Sequence, residues 1–170
     1  AETGRMYIMN VDHANTHSSF LDPVFMSNLS QEITLPTTPL GHIDDPDGEI
    51  ALCILSAINV GLINDLGDLE ALCELAVRAL EQIIDYQKYP VKAAEISTKA
   101  RRSLGIGYVG LAHFLAKNKV SYDNNEAAQL VHKLSESFQY YLLKASNKLV
   151  LFFEALDKAS IKEASVILIL

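Results

Sequence analysis

Apolar residues recur at intervals of three and four along most of the chain after Glu49, the spacing that places them on one face of an α-helix. The first run contains Ile50, Cys53, Ile54, Ala57 and Ile58. The second begins after Asp65 or Asp68, either of which can cap a helix, and stops before Pro90. Its stripe contains Leu69, Leu72, Ala76, Ala79, Leu80 and Ile83. Two further runs predict helices over about 93–117 and about 125–153.

The residues before Glu49 have shorter patterns, typical of strands and loops. They predict a strand over Arg5–Asp12, a polar turn over Asp12–Ser19, an extended segment over Asn28–Leu35 that stops at Pro36, and a loop over Gly41–Gly48. Short strands combined with long helices favour the α/β class. The apolar end, Val166–Leu170, would be an unpaired strand unless another segment covers it. We therefore expect the chain to be part of a larger body.

Composition narrows the possible functions. The chain has 170 residues, of which 49% are hydrophobic and 21% charged, and a single globular domain is expected. Its net charge of −7 repels nucleic acid and anionic lipid rather than attracting them, so we expect no nucleic-acid or membrane partner. The two cysteines, Cys53 and Cys73, match neither a metal-binding knuckle nor a disulfide framework, which favours a reducing cytoplasm.

One short segment combines polar side chains that could perform chemistry. On an extended backbone alternate residues share a face, so Asn28, Ser30 and Glu32 would point to the same side. From this pattern alone a solvated strand face remains the more common explanation. Cys53 is likewise, from its pattern alone, a small buried hydrophobe, and Cys73 is expected to pack in the core.

Several motifs occur in one consistent order. They are Glu2-Thr3-Gly4-Arg5, Asn10-Val11-Asp12-His13, Asn28-Leu29-Ser30-Gln31-Glu32-Ile33 with Leu35-Pro36-Thr37, Gly48-Glu49-Ile50-Ala51-Leu52-Cys53, Asp85-Tyr86-Gln87, Arg101-Arg102-Ser103-Leu104-Gly105-Ile106-Gly107 and Gln139-Tyr140-Tyr141-Leu142-Leu143-Lys144-Ala145-Ser146-Asn147. From Glu2 to about Leu149 the chain resembles the class I (aerobic) ribonucleotide reductase large subunit, whose finger loop has the pattern Asn-Leu-Cys-x-Glu.

The resemblance implies a fold and a domain organisation. The chain would be an internal part of the ten-stranded α/β barrel, with short strands and the finger loop first and long helices after them. Residues 1–170 would form a partial catalytic barrel domain: a strand and finger-loop region over 1–48, a mainly helical region over 49–153 and a divergent tail over 154–170.

The resemblance also implies roles for the loop residues. In such enzymes a thiyl radical on the loop cysteine removes the 3′ hydrogen of a ribonucleoside diphosphate, a glutamate accepts the 3′-hydroxyl proton and an asparagine binds the substrate. Asn28 and Glu32 match the last two positions, and Leu29 and Gln31 complete the substrate-binding segment. Ser30 replaces the radical cysteine. Because a serine O–H bond is much stronger than a thiol S–H bond, we expect binding without turnover.

Cys53 falls, by resemblance, on one member of the redox cysteine pair, and its partner would lie upstream of Ala1. The resemblance implies no cofactor or metal on this chain. It implies the remainder of the large subunit, a radical-generating small subunit with a metal and tyrosyl radical, thioredoxin or glutaredoxin as reductant, and ATP or dNTP effectors bound elsewhere. The alternative, favoured by Ser30, is a non-catalytic helical interaction module or decayed reductase.

Three further motifs are assigned structural roles. Gly105-x-Gly107-x-x-Gly110 spells the dinucleotide fingerprint, but we expect neither a preceding hydrophobic strand nor a βαβ unit around it. His13 and His17 are expected to make turn hydrogen bonds rather than bind metal. Tyr140-Tyr141 is expected to pack within a helix.

Overall fold

Regular secondary structure is concentrated in the part of the chain after Cys53. The computed structural model describes residues 2–18, 20–155 and 166–169. In chain order its elements are α1 (Val11–Thr16), β1 (Ile54–Asn59), a 3-10 helix (Val60–Leu62), α2 (Asp68–Tyr86), α3 (Lys92–Arg101), β2 (Leu104–Val109), α4 (Leu111–Lys117), α5 (Asn125–Ala155) and β3 (Val166–Ile169). The chain divides into two units, Ala1–Cys53 with Lys88–Thr98, and Ile54–Gln87 with Lys99–Leu170.

Hydrogen bonds from side chains to the backbone hold much of the first unit together. Asn15 Oδ1 accepts from the Val24 N–H at 2.7 Å, and Asn15 Nδ2 donates to the Val24 carbonyl at 2.8 Å. The buried Glu49 accepts at Oε2 from both the backbone N–H and the hydroxyl of Thr38, at 2.9 and 3.1 Å. The Glu49 N–H in turn donates to the Thr38 carbonyl at 2.9 Å. These bonds close the loop that contains the predicted Gly41–Gly48 segment.

The strand predicted over Arg5–Asp12 is wrong. Residues 5–10 are not in a strand, and α1 begins at Val11, inside the predicted strand and turn. Two polar side chains of this helix bond to carbonyl groups four residues earlier: Asn15 Nδ2 donates to Val11 and the Thr16 hydroxyl to Asp12, both at 2.8 Å. The polar residues that suggested a turn are therefore accommodated in a short helix through bonds to its own backbone. Ser19, the last residue of the predicted turn, lies outside the described residues.

A parallel sheet forms the centre of the second unit. The strand order is β1-β2-β3, with Ile54 opposite Leu104 and Asn59 opposite Val109. Leu104 is also opposite Val166, so β3 pairs with β2 and Val166–Ile169 is not left as an unpaired strand. Parallel strands need a long connection, and the connection between β1 and β2 contains α2 and α3.

The core of this unit combines residues of the sheet with residues of α2 and α5. Its fully buried members include Leu69 and Ile84 of α2, Ile106 of β2 and Phe138 of α5. The ring of Tyr108 meets that of Phe138 edge to face at 5.4 Å. After β2 the chain turns at Gly110, whose φ is 82°. A Cβ there would lie 2.4 Å from Asn59 Oδ1, so both the backbone angle and the space require glycine.

Two of the predicted helices contain strands instead. The helix predicted from Ile50 to Ile58 is wrong, because Ile54–Asn59 forms β1 with alternating half-buried and exposed residues. Ile54 and Ile58 are four apart, which fits one face of a strand as well as one face of a helix. The helix predicted over about 93–117 is interrupted by β2 and splits into α3 and α4. The turn after α3 contains Arg102, whose φ of 47° is incompatible with a continuous right-handed helix.

The two long helices were predicted correctly in extent, and α5 covers Asn125–Ala155. In α2 the buried face is displaced from the predicted stripe: Leu69 and Leu80 are buried, but Leu72 and Ile83 are 37% and 41% exposed. The other buried residues of α2 are Cys73, Val77, Glu81 and Ile84. Core packing of Cys73 is thereby confirmed. Asp65 Oδ1 accepts from the Gly67 N–H at 2.8 Å and so stabilises the turn before α2. It does not cap the helix itself.

Candidate functional site

The segment that contains Asn28, Ser30 and Glu32 is a narrow hairpin tip. Ser27 and Thr34 form an antiparallel bridge at its base. Inside that bridge the Asn28 N–H donates to the Ile33 carbonyl at 3.2 Å, and the Gln31 N–H donates to the Asn28 carbonyl at 3.2 Å. The second bond closes a four-residue turn over residues 28–31. We refer to residues 27–34 as the finger tip.

The extended conformation predicted for Asn28–Leu35 is wrong. The backbone reverses direction inside it, and Gln31 has a φ of 63°, in the left-handed region that non-glycine residues seldom adopt. The alternation argument therefore does not apply to these residues. The structure instead places Asn28 and Ser30 in the turn and Glu32 immediately after it, and all three residues are exposed.

Buried side chains next to the turn fix the finger tip to the first unit. Ile33 is 8% exposed, Leu35 is 5% exposed and Pro36 is fully buried. Leu29, by contrast, is 81% exposed at the tip itself. The polar residues therefore stand at the exposed end of a hairpin whose base is held by apolar packing.

One side chain of the tip also bonds to the backbone of the tip. Asn28 Oδ1 accepts from the Ile33 N–H at 3.0 Å, across the turn. Together with the two backbone bonds it fixes the conformation of the residues between Asn28 and Ile33. Sequence reasoning missed both this bond and the left-handed Gln31. An asparagine that precedes a short polar stretch, with a tendency to bond nearby backbone, was the available signal.

Cys53 lies immediately before β1, at the end of the first unit, rather than on a helix. Burial raises the pKa of its thiol to about 11. Burial raises the pKa of Cys73 to about 11 as well. At neutral pH both sulfurs are therefore protonated, and a protonated thiol is a poor nucleophile. Both cysteines are free thiols.

The glycine and histidine motifs lie in elements other than those predicted. Gly105 and Gly107 are inside β2, which follows β1 in a parallel arrangement with helices between them. The expectation of no βαβ unit around the motif is therefore wrong, whereas the expectation that no hydrophobic strand precedes it is confirmed, because α3 and a short turn come before β2. The fingerprint nevertheless needs its glycines after the strand, and only Gly110 occupies such a position. His13 belongs to α1 and His17 follows its last residue, so the predicted turn is helical here too.

The tyrosine pair is the last of the motifs that the sequence singled out. Tyr140 and Tyr141 of α5 meet edge to face at 5.4 Å, which confirms packing within a helix. Within the described ranges no group of three or more His, Cys, Asp or Glu side chains has a geometry that could hold a metal ion. Over the same part of the chain, none of the helices combines the length and apolar character required to span a bilayer.

Comparison with known proteins identifies the family. The family model described as the ribonucleotide reductase barrel domain matches residues 1–155. The chain belongs to the ribonucleotide reductase barrel family. The resemblance inferred from the motifs is thereby confirmed, and so is the fold class, an α/β barrel segment with short strands and long helices.

The similar proteins of this ribonucleotide reductase family are alpha subunits. The chain is 59% identical over 152 residues to the ribonucleoside-diphosphate reductase subunit alpha of Buchnera aphidicola subsp. Schizaphis graminum, which covers 88% of the chain. It is 58% identical to that of Haemophilus influenzae and 55% identical to ribonucleoside-diphosphate reductase 1 subunit alpha of Escherichia coli, again over 88% of the chain. In each case the match covers 20% of the relative, so the chain spans about a fifth of their length.

Proposed function

We propose that this chain supplies the substrate-binding finger tip of a ribonucleoside-diphosphate reductase large subunit, in a form that binds substrate but does not reduce it. The supporting observation is the hairpin tip over residues 27–34, which exposes Asn28, Ser30 and Glu32 in a chain of the reductase barrel family. Leu29 and Gln31 complete the segment that would face the nucleoside diphosphate.

The three polar residues suit different parts of that task. The Glu32 carboxylate is exposed, and it can accept the proton of a sugar hydroxyl if the sugar lies within hydrogen-bond reach. The carboxamide of Asn28 can hold the sugar by a hydrogen bond. Ser30 would stand where the family has the radical cysteine. Its hydroxyl gives up a hydrogen atom far less readily than a thiol, so the radical transfer that starts the reaction would fail at this residue.

The same proposal assigns partners and a reductant. The working enzyme would need the rest of the large subunit and a small subunit that generates the radical from its metal and tyrosine. It would also need thioredoxin or glutaredoxin, and ATP or dNTP effectors bound outside this segment. Cys53 would be one of the two cysteines that deliver electrons. The raised pKa of its thiol agrees with a sulfur that stays protonated until a second sulfur is brought close.

The test uses a full-length alpha subunit in which residues 1–155 of this chain replace the matching segment. We expect this protein, mixed with its small subunit and thioredoxin, to bind a nucleoside diphosphate but to form no deoxynucleotide. Ser30→Cys should restore product formation without a large change in affinity. Ser30→Ala is the matched control, which should bind and remain inactive.

Three results would contradict the proposal. Product formed with Ser30 in place would show that this position does not carry the radical. An inactive Ser30→Cys protein that still binds the diphosphate would place the radical residue elsewhere. Absence of diphosphate binding in every variant would favour the alternative, a non-catalytic interaction module that keeps the fold without the chemistry.

A further inference from the structure

The burial of β2 follows its pairing with β3. β2 pairs with β1 along its whole length and with β3 from Leu104 to Gly107. The residues of β2 opposite β3 are all buried, whereas Tyr108 is half-buried and Val109 is 53% exposed, both beyond the end of β3. In β1, which has a partner strand on one edge within the described part of the chain, half-buried and exposed residues alternate. We refer to the edge of β2 opposite β1 as the second edge.

The sequence of β2 makes it dependent on its neighbours. It contains Gly105 and Gly107, and glycine weakens a strand because it has no side chain to pack and loses much backbone freedom on folding. Gly105 lies opposite Ile167, and Gly107 lies opposite Ile169. Glycines inside a strand are typical of places where another backbone approaches closely. A partner on the second edge therefore stabilises a strand that would be weak at the edge of a sheet.

β3 lies outside the part of the chain that matches the family. The family model of the barrel domain covers residues 1–155, and β3 begins at Val166. Within residues 2–18 and 20–155 the strands of the sheet are β1 and β2. A closed barrel leaves no strand edge open, because each strand pairs on both sides. In a complete barrel the second edge must therefore be filled by a strand from outside the matched segment.

We propose that the second edge is a docking edge for a parallel strand from the remainder of the large subunit, and that β3 fills this edge in the present chain. The identity of the partner rests on the proposed function. The occupation of the edge by β3 concerns this chain alone, and it can be tested without any partner.

Backbone groups explain how an unrelated sequence can fill this position. The bonds of a parallel ladder join N–H and carbonyl groups of the main chain, which every residue except proline provides in full. An open edge therefore accepts an extended segment through its backbone, whereas side chains only adjust the choice of segment. The second edge accordingly requires an extended, parallel segment of about four residues or more, the length over which β3 pairs.

The first test removes ladder bonds from β3 in the whole chain. Consecutive residues of a strand direct their N–H groups to opposite edges, so in the double variant Ile167→Pro with Leu168→Pro one proline removes an N–H that faces β2. The matched control is Ile167→Thr with Leu168→Thr, which keeps both N–H groups and a high preference for strands. The readout is hydrogen–deuterium exchange, measured by mass spectrometry on peptides that contain Leu104–Gly107.

We expect the proline variant to speed exchange of the β2 amides that face β3 by about tenfold, as for loss of a backbone hydrogen bond. The threonine variant should stay within about twofold of the unsubstituted chain, because its ladder is intact. Peptides from α2 should keep their exchange rate in both variants, which separates local release of β3 from unfolding of the second unit.

The second test looks for the partner strand. The chimeric alpha subunit that carries residues 1–155 lacks β3, and its remaining sequence comes from the relative. We expect its Leu104–Gly107 amides to exchange as slowly as those of the unsubstituted chain, because a strand of the relative takes the second edge. This measurement needs neither a nucleoside diphosphate nor turnover.

Each part of the proposal can be overturned separately. Unchanged exchange at Leu104–Gly107 in the proline variant, or equally fast exchange in the threonine variant, would overturn the pairing with β3 as the cover of this edge. Exchange in the chimera as fast as in the proline variant would overturn the docking of a large-subunit strand. A chimera that keeps these amides protected but binds no nucleoside diphosphate would refute the proposed function and still support the docking edge.

Discussion

Replacement of Arg102 should destabilise the second unit strongly. Its guanidinium donates to a carboxylate oxygen and the carbonyl of Glu81, the latter at 3.2 Å, and to both carboxylate oxygens of Asp85 at 3.1 and 3.0 Å. The side chains of Arg102 and Glu81 are only 8% and 10% exposed, whereas that of Asp85 is 64% exposed. The bonds join the C-terminal part of α2 to the turn that precedes β2.

The exposure of each acid decides the size of the effect. Arg102→Met would leave the Glu81 carboxylate buried without its counter-charge, which costs about 3–5 kcal/mol of unfolding free energy. The lost pair with the exposed Asp85 adds no more than about 1 kcal/mol. Methionine has no more difficulty than arginine with the positive φ at this position, so backbone strain is nearly equal in the two proteins.

The unfolding free energy that Arg102→Met removes should also depend on pH. Burial raises the pKa of Glu81, and the attraction of Arg102 opposes that rise. Removal of Arg102 should raise the pKa of Glu81 further. A carboxyl whose folded pKa lies above its unfolded value reduces stability as pH rises through that window. Arg102→Met should therefore lose less stability near pH 4.5, where the carboxyl can be neutral, than at pH 8.

Urea unfolding of the whole chain, followed by circular dichroism, measures these differences. Lys148→Met is the control, because Lys148 of α5, whose side chain is 60% exposed, pairs with Glu74 of α2 at 2.9 Å. It should cost less than about 1 kcal/mol. The double variant Arg102→Met with Glu81→Leu should recover most of the loss, since no buried charge remains. A loss for Arg102→Met no larger than that of the control would refute the reasoning.

Two further predictions concern the finger tip and the thiol. Gln31→Pro should open the tip, because proline lacks the N–H that donates to the Asn28 carbonyl and fixes φ near −65° instead of 63°. Gln31→Gly should leave the tip closed, because glycine adopts positive φ readily. Faster exchange of the Ile33 amide in the proline variant alone would verify this. In a Cys73→Ala protein, alkylation of Cys53 by iodoacetamide should follow a pKa of about 11 rather than 9.0. The chain should also lose stability as pH rises between these two values, because the Cys53 thiol is still protonated in the folded state when it has ionised in the unfolded state. An alkylation midpoint near 9 would contradict the burial of this sulfur.

The sequence predicted the parts of the fold whose stabilising contacts are close together in the chain. In α2 and α5 many apolar residues repeat over five or more turns, so the helical period stands out from any alternative. The buried face of α2 nonetheless differs from the predicted one: Cys73, Val77 and Ile84 are buried, whereas Leu72 and Ile83 are not. Apolar residues on two adjacent stripes do not show which one will meet the sheet.

The candidate residues were found by likeness of motif, not by derivation of their geometry. Asn28, Ser30 and Glu32 were proposed on the basis of an extended backbone, and the structure has a reversing turn over residues 28–31 instead. The family assignment survives this correction because it depends on the order of the motifs along 155 matched residues. Their proposed roles in catalysis remain predictions, and the Ser30 variants test the central one.

The sequence alone thus determined the family, the two long helices and the identity of the residues at the finger tip. Tertiary structure decided that Ile54–Asn59 and Leu104–Val109 are strands, because each is stabilised by a partner about fifty residues away that local periodicity does not register. It also decided the shape of the finger tip, where bonds between Asn28 and Ile33 hold Gln31 in a conformation that its own preference disfavours. The pattern of apolar residues along the chain reflects interactions between residues that are close in sequence. Strand pairing and the turn at the finger tip depend on contacts that exist only once the chain has folded.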